Sequence, residues 1–527
     1  MVREMTGMLQ NDSFQLRKRS SLSEVQIKEA LPMIGFTKES KSTEDGYKSR
    51  LVVDGSKQDR DEYDVYTQIA ASTGKRSDLF AITAKAAAEN MCVAQLDFHQ
   101  AFTLSEMNAE NEDEKIICKL DKIYVKILKQ IDKTLNLDEY INPDGSVYVE
   151  LKKAVYGLLQ AARKWYDKLS QIILSLGYTK NPHDECVFNK IENGKILVTI
   201  YLYVDDAMIF ATEQKFIDQL EIDLKKEFDN KVDFVKNALE FEFLSMKFDF
   251  RAKGLAHVTM KDYIIAILEE YNALLKRRNT PAKPNLFEIN ENSELLDTLD
   301  KQKLRRGVAK LLYLACLVRP DVLCATIFLT TRVHESRVED ITKFYDILAY
   351  LNNNRELGLC LGAGKDGKFR LNVYTDASFN VHQDAKSHGG VVINVGRSAN
   401  LAESTRIPGI PLSSTEAELI MGAHGTSLGY RELEFARCQQ IVDDNEPGLI
   451  HQDNKSTIHL IKNGKSTSKK TKHIKLRYFF IKEYLDDGTF EIVHCPTKYQ
   501  ISDILTKPLQ GQQFVFLRDL LLGYKVM

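Results

Sequence analysis

The stretch YLYVDDAMIF, residues 201–210, sets Asp205 and Asp206 side by side between two apolar, β-prone runs. Such a pattern reads as a tight hairpin with two carboxylates at its tip. Aspartate favours turns for its own sake, and that plainer reading stays open. Against it, Asn-Gly or Asp-Gly would make a better turn, and adjacent like charges repel. A third acid of the same style, Asp97, ends the apolar run in VAQLDFHQAF. Three acids on neighbouring strand ends could hold two divalent cations about 4 Å apart, an arrangement that clamps an in-line phosphoryl displacement. Magnesium suits such a site, since it takes oxygen ligands and keeps water and phosphate as its other partners.

Four further acids follow the same logic downstream. KFRLNVYTDASF alternates like a strand and ends in Asp376, and SSTEAELIMGA opens a helix that carries Glu416 and Glu418. LIHQDNKSTIHLI is a short strand ending in Asp453, and EIVHCPTKYQISDILTKPL reads as strand, turn and a helix with Asp503. Taken singly, each acid is more simply a helix cap or a solvated end. Between Ile461 and Lys482 the chain has eight Lys or Arg and no acid, the best local patch for phosphates. A solvated helix face and a nuclear-localisation-like run compete for that segment.

These residues need a large scaffold. At 527 residues the chain exceeds one ordinary core, and two to four domains are expected. Its charged fraction of 28% is that of a soluble globular protein, and no uncharged apolar run is long enough to span a membrane. No secretory signal is expected from MVREMTGMLQNDSFQ, and eight cysteines without a C-x-x-C pair read as reduced core residues. With a net charge of −2, a nucleic-acid partner would have to be held by local patches or through metal ions. The expected organisation is a polar, irregular lead segment (1–45), an α/β body (46–270), a helical unit (271–365), a second α/β unit (366–510) and a tail (511–527).

The ordered words of the sequence resemble the reverse transcriptase of copia-type LTR retrotransposons. YKSRLVVDG resembles the family's Y-K-A-R-L-V-A-x-G, QLDFHQAF its Q-x-D-V-x-x-A-F, and LKKAVYGLLQAARKWY its L-x-K-x-L-Y-G-L-x-Q-x-P-R-x-W-Y. YLYVDD resembles the Y-V-D-D hairpin, and FEFLSMKF and LLYLACLVRPDV resemble segments that follow it. YTDAS, SSTEAE, DNKS, TKHIKLRY and SDILTKPL are similar to the copia-type ribonuclease H words. The resemblance implies a multidomain α/β and α+β fold: a right-hand polymerase (fingers, palm, thumb/connection) and then an RNase H-like α/β domain.

It also implies roles. Asp97, Asp205 and Asp206 become polymerase metal ligands, with Asp206 the least direct. Asp376, Glu418, Asp453 and Asp503 become the nuclease ligands, Glu418 being preferred to Glu416 because it directly precedes the helix Leu. Phe102 matches the bulky residue that excludes a ribose 2′-hydroxyl, and a plain core Phe would look the same. Lys48 and Arg50 match residues that hold a triphosphate, while a solvated strand edge reads equally well. Tyr156 and Gly157 match the segment against the bound nucleotide. Trp165 and His473 match family positions whose role is structural at least as often as not.

The implied cofactor is Mg²⁺, two per site, with Mn²⁺ as substitute. The implied partners are an RNA template, a DNA or tRNA primer, the RNA–DNA hybrid and deoxynucleoside triphosphates, with room for a dimer or association with integrase and none for a membrane. The implied setting is the cytoplasm, in a virus-like particle if the element is active, with nuclear entry compatible. Departures from the pattern, such as Ala162 for Pro, Val318 for Thr and Phe479 for His, touch no implied ligand. They also suit a divergent or domesticated remnant that retains RNase H activity or RNA binding alone.

Overall fold

The computed structural model of the chain describes residues 1–39, 46–107, 115–274, 276–463 and 475–527. Four sheets organise the described residues. The central one is antiparallel and six-stranded, in the order Val232–Lys236, Cys92–Phe98, Asp206–Ala211, Lys195–Tyr203, Asp184–Glu192, Thr179–Asn181. Its inner strands are largely apolar on both faces because both are covered. Leu96, Phe98 and Ile209 pack into one core with Trp165 and Leu169, while Val93, Met208 and Phe210 pack into the other with helix Arg76–Glu89.

The second α/β unit holds a five-stranded sheet in the order Leu401–Arg406, His388–Asn394, Asn372–Ser378, Gly448–Gln452, Phe490–His494. Numbered along the chain this is 3-2-1-4-5, antiparallel through the first three strands and parallel thereafter. Helix Ser414–Cys438 lies against the first strand, where Gly425 and Gly429 let it approach closely. A Cβ on Gly425 would come within 2.4 Å of the Thr375 methyl.

Three expectations need correction. The lead segment is not irregular: Val2–Gln10 is a helix, Phe14–Arg17 pairs with Val147–Leu151, and Leu31–Glu39 pairs with Tyr47–Val53. The apolar side chains Met5, Met8 and Phe14 are buried, which draws this polar stretch onto the body. The helical unit, with helices Thr298–Leu317, Leu323–Thr330 and Val338–Asn353, also ends in a strand. That strand, Leu359–Leu361, completes a sheet with Ala256–Thr259. The last residues are not a loose tail either, since helix Gly511–Leu521 buries Phe514, Leu517, Leu520 and Leu521.

The two α/β units are joined by a buried ionic cluster. Arg431 on helix Ser414–Cys438 pairs with Asp78 on helix Arg76–Glu89 and, at 2.8 Å, with Glu432. Ser77 Oγ donates to Glu432 Oε1 at 2.9 Å.

Candidate functional site

Strands Lys195–Tyr203 and Asp206–Ala211 form the expected hairpin, with Tyr203 opposite Asp206 and only Val204 and Asp205 between them. Val204 has a φ of +58°, unusual for a β-branched residue and strained relative to glycine. The indole Nε1–H of Trp165 donates to the Val204 carbonyl at 2.8 Å and fastens the turn from below.

On its other edge the hairpin strand pairs with the Asp97 strand, placing Asp206 directly opposite Asp97. Asp205 sits at the tip, half-buried, and accepts from the Tyr156 hydroxyl at 3.3 Å. Burial first, then Asp205 and Asp97, pushes the Asp206 carboxyl up to about 6. Partial burial and Asp205 also raise Asp97, while Lys48 draws it down. The Arg50 guanidinium lies 4.0 Å above the Tyr156 ring, and Phe102 packs against the same ring at 4.5 Å. Phe102 is 8% exposed, close to an ordinary core Phe. The structure thus gathers Lys48, Arg50, Phe102 and Tyr156 around the three acids.

Gly157 is placed differently. Its φ is +97°, and a Cβ would lie 2.0 Å from the Val53 carbonyl oxygen. The close approach that requires glycine is therefore to the neighbouring backbone, where Val53 N–H donates to Tyr156 O at 2.8 Å. Sequence reasoning passed over Asp233, which pairs with Asp97 on the opposite edge and lies 2.7 Å from His99 Nε2.

In the second unit, Asp376 is on the first strand, Glu418 in the first turns of the long helix, Asp453 just after the fourth strand and Asp503 at the start of helix Asp503–Thr506. Oxygens of Asp376, Asp453 and Asp503 lie within 4.8 Å of one another, and among the described residues no other trio of potential ligands converges so closely. An all-oxygen set of this size fits Mg²⁺ or Mn²⁺. Asp97, Asp205 and Asp206 stand more openly, which suits ions that bring phosphate oxygens with them.

Glu418 is buried and accepts from Gln452 Nε2 at 3.3 Å. Burial, then Asp376 and Asp453, pushes its carboxyl up to about 9. Burial and Asp376 push Asp503 up to about 7, against the pull of Lys507. Glu416 instead caps the helix mouth, accepting from Leu412 N–H at 2.7 Å. Thr497 Oγ1 donates to Asp453 at 3.1 Å, and Thr506 Oγ1 donates to Asp376. Lys507 Nζ reaches Asp503 at 2.9 Å and Asp376 at 3.2 Å. Its four-residue spacing from Asp503 on a predicted helix was the signal that could have marked it. His473 and half of the basic residues around it lie outside the described residues.

An antiparallel sheet with acids at a hairpin tip, joined to a 3-2-1-4-5 sheet with acids at its element ends, is the architecture of a palm-type polymerase with a ribonuclease H-like unit. Residues 32–286 match the family described as reverse transcriptase (RNA-dependent DNA polymerase). Over that span the chain is similar to reverse transcriptases, and the proteins it resembles along most of its length are Pol polyproteins of transposons. It is 28% identical to the retrovirus-related Pol polyprotein from transposon RE1 of Arabidopsis thaliana, covering 89% of this chain and 30% of that protein. It is 27% identical to the Pol polyprotein from transposon TNT 1-94 of Nicotiana tabacum, covering 90% and 34%. A truncated Ty1-A Gag-Pol polyprotein of Saccharomyces cerevisiae is 22% identical, covering 98% and 42%. The chain therefore spans roughly a third of the length of the curated relatives it matches. Among solved structures, a foamy viral protease-reverse transcriptase in complex with double-stranded DNA shows 12% identity, with 93% of this chain and 68% of that one covered at a TM-score of 0.48. Among the described residues no helix is long and apolar enough to cross a membrane.

Proposed function

We propose that this chain copies RNA into DNA at the hairpin site and hydrolyses the RNA strand of the resulting hybrid at the second site. The observation that carries the reading is the placement of two separate acid sets, one on each α/β unit, with Asp206 opposite Asp97 in the first. Asp97, Asp205 and Asp206 would hold divalent cations at the polymerase site, and Asp376, Glu418, Asp453 and Asp503 at the nuclease site. The bound ions would supply an activated hydroxyl or water and neutralise charge on the phosphoryl group.

Around them the chain's own residues orient and exclude. Arg50 and Lys48 would meet the triphosphate, with Tyr156 fixing Arg50 through its ring face. Phe102, braced on Tyr156, would close the sugar pocket against a 2′-hydroxyl. At the second site Thr497 and Thr506 hold Asp453 and Asp376 in fixed rotamers, so the ligands are set before an ion arrives. Template, primer, hybrid and deoxynucleoside triphosphates are the proposed partners.

A second reading, a remnant working as a nuclease alone, draws support from the closer convergence of the second acid set. Mg²⁺-dependent extension of a DNA primer on an RNA template separates the two. Extension by the natural chain and none by the Asp205→Asn, Asp206→Asn variant supports the polymerase. Hybrid cleavage without any extension leaves the nuclease reading.

A further inference from the structure

Of the three acids that converge most closely, two, Asp376 and Asp503, are bridged by a lysine. Lys507 ends the short helix that Asp503 begins, and its backbone N–H closes the turn onto Asp503 O at 3.0 Å. That turn returns the ammonium to its own helix start, 2.9 Å from Asp503 and 3.2 Å from Asp376. It therefore occupies the region between carboxylates where a divalent ion would have to sit. The Asp376 and Asp503 side chains are 2% and 6% exposed, whereas the lysine side chain keeps 38% of its surface in water. The acids are fixed, and the lysine has a way out.

Two cations a few ångströms apart in one carboxylate cage repel strongly when water is scarce. An ammonium also occupies lone pairs on the carboxylate oxygens that metal coordination needs free. We propose that Lys507 is the built-in counter-cation of the nuclease site and that a divalent ion binds there only by displacing it. The inference rests on the reading of these acids as metal ligands. It gives the lysine two effects of opposite sign. Without metal it offsets the repulsion between Asp376 and Asp503, and with metal present it lowers the apparent affinity by the cost of being moved. The nuclease would then switch on at a higher divalent-ion concentration than a site lacking such a lysine, so hybrid cleavage lags behind synthesis as metal is raised.

The test uses the full chain carrying Asp205→Asn and Asp206→Asn, so that binding heat comes from the nuclease site. Mn²⁺ titration calorimetry and metal-free melting are compared for Lys507, Lys507→Met and Lys507→Arg. Displacement predicts at least roughly fivefold tighter Mn²⁺ binding for Lys507→Met. It also predicts a lower metal-free melting temperature that saturating Mn²⁺ restores, and near-natural behaviour for Lys507→Arg. Equal or weaker binding by Lys507→Met overturns the displacement, because the lysine would then merely hold the ligands in place. No binding by any of the three overturns the metal-site reading itself.

Discussion

Asp97 and Asp206 face each other directly across two antiparallel strands, and Asp233 faces Asp97 from the other side. Three carboxylates thus stand in one row at the hairpin end of the sheet, with Asp97 and Asp233 open to solvent. With Asp206 raised to about 6, its contribution to stability is present below about pH 4 and is lost as pH rises through 6. Asp206→Asn should therefore stabilise the metal-free protein at pH 7.5 by about 1–2 kcal/mol after solvent screening. The same change should weaken or abolish primer extension. Urea melts in EDTA check the first outcome, and an unchanged or lowered midpoint would contradict it.

Phe102 is the residue through which sugar selection should act. Phe102→Val removes ring volume beside Tyr156 while keeping the site apolar. Misincorporation of ribonucleotides should rise by roughly 10- to 100-fold relative to deoxynucleotides. Single-nucleotide incorporation kinetics with matched ribo- and deoxyribonucleotides decide it. An unchanged ratio would leave Phe102 a core residue only.

Arg431 ties helix Ser414–Cys438 of the second α/β unit to the first unit through Asp78, which is fully buried. Arg431→Met would strand the Asp78 and Glu432 carboxylates without their cation. A loss of about 3–5 kcal/mol is expected, as for other broken buried pairs. Denaturation should change from one coupled transition to two, with the nuclease and polymerase units melting apart. A single transition at the natural midpoint would show that the apolar contacts alone hold the units together.

A directional chain of hydrogen bonds sets the acid limit of the second unit. Ser404 Oγ donates to Leu505 O at 2.7 Å, so it must accept from His388 Nε2–H, also at 2.7 Å. His388 Nδ1 then accepts from His382 Nε2–H at 3.0 Å, and His388 cannot take a second proton without breaking the chain. Burial, then His382, lowers His388 to about 3, and burial, then Arg406, lowers His382 to about 4. Stability from these depressed groups is present above about pH 6.5 and is lost as pH falls through those values. His388→Gln should flatten the acid limb by on the order of 2–4 kcal/mol between pH 7 and 3. Urea midpoints across that range are the measurement, and parallel curves for both proteins would refute the assignment.

The parts of the site that local sequence could specify were legible in it. The hairpin around Asp205 is read from apolar runs on both sides of a two-residue break, and the Asp376 strand from its alternation. What escaped depends on partners far away in the chain. Phe14–Arg17 is a strand only because Val147–Leu151 offers it an edge, and nothing within residues 1–45 announces that pairing. Lys507 has Asp503 within one helical turn, but its second partner, Asp376, is 131 residues away and could not be read from TKPL. Helix Gly511–Leu521 was within reach, since Phe514, Leu517 and Leu521 already show helical spacing.

The chain has a single tryptophan, and its indole is hydrogen-bonded to the turn that presents Asp205. Phe98 and Phe228 enclose it edge-on or tilted, at 4.8 and 5.8 Å. The protein therefore carries its own optical reporter, addressed to one turn out of the whole molecule. Emission from Trp165 should follow any loading of the hairpin without an attached dye, and the second α/β unit, having no indole of its own, adds no tryptophan signal.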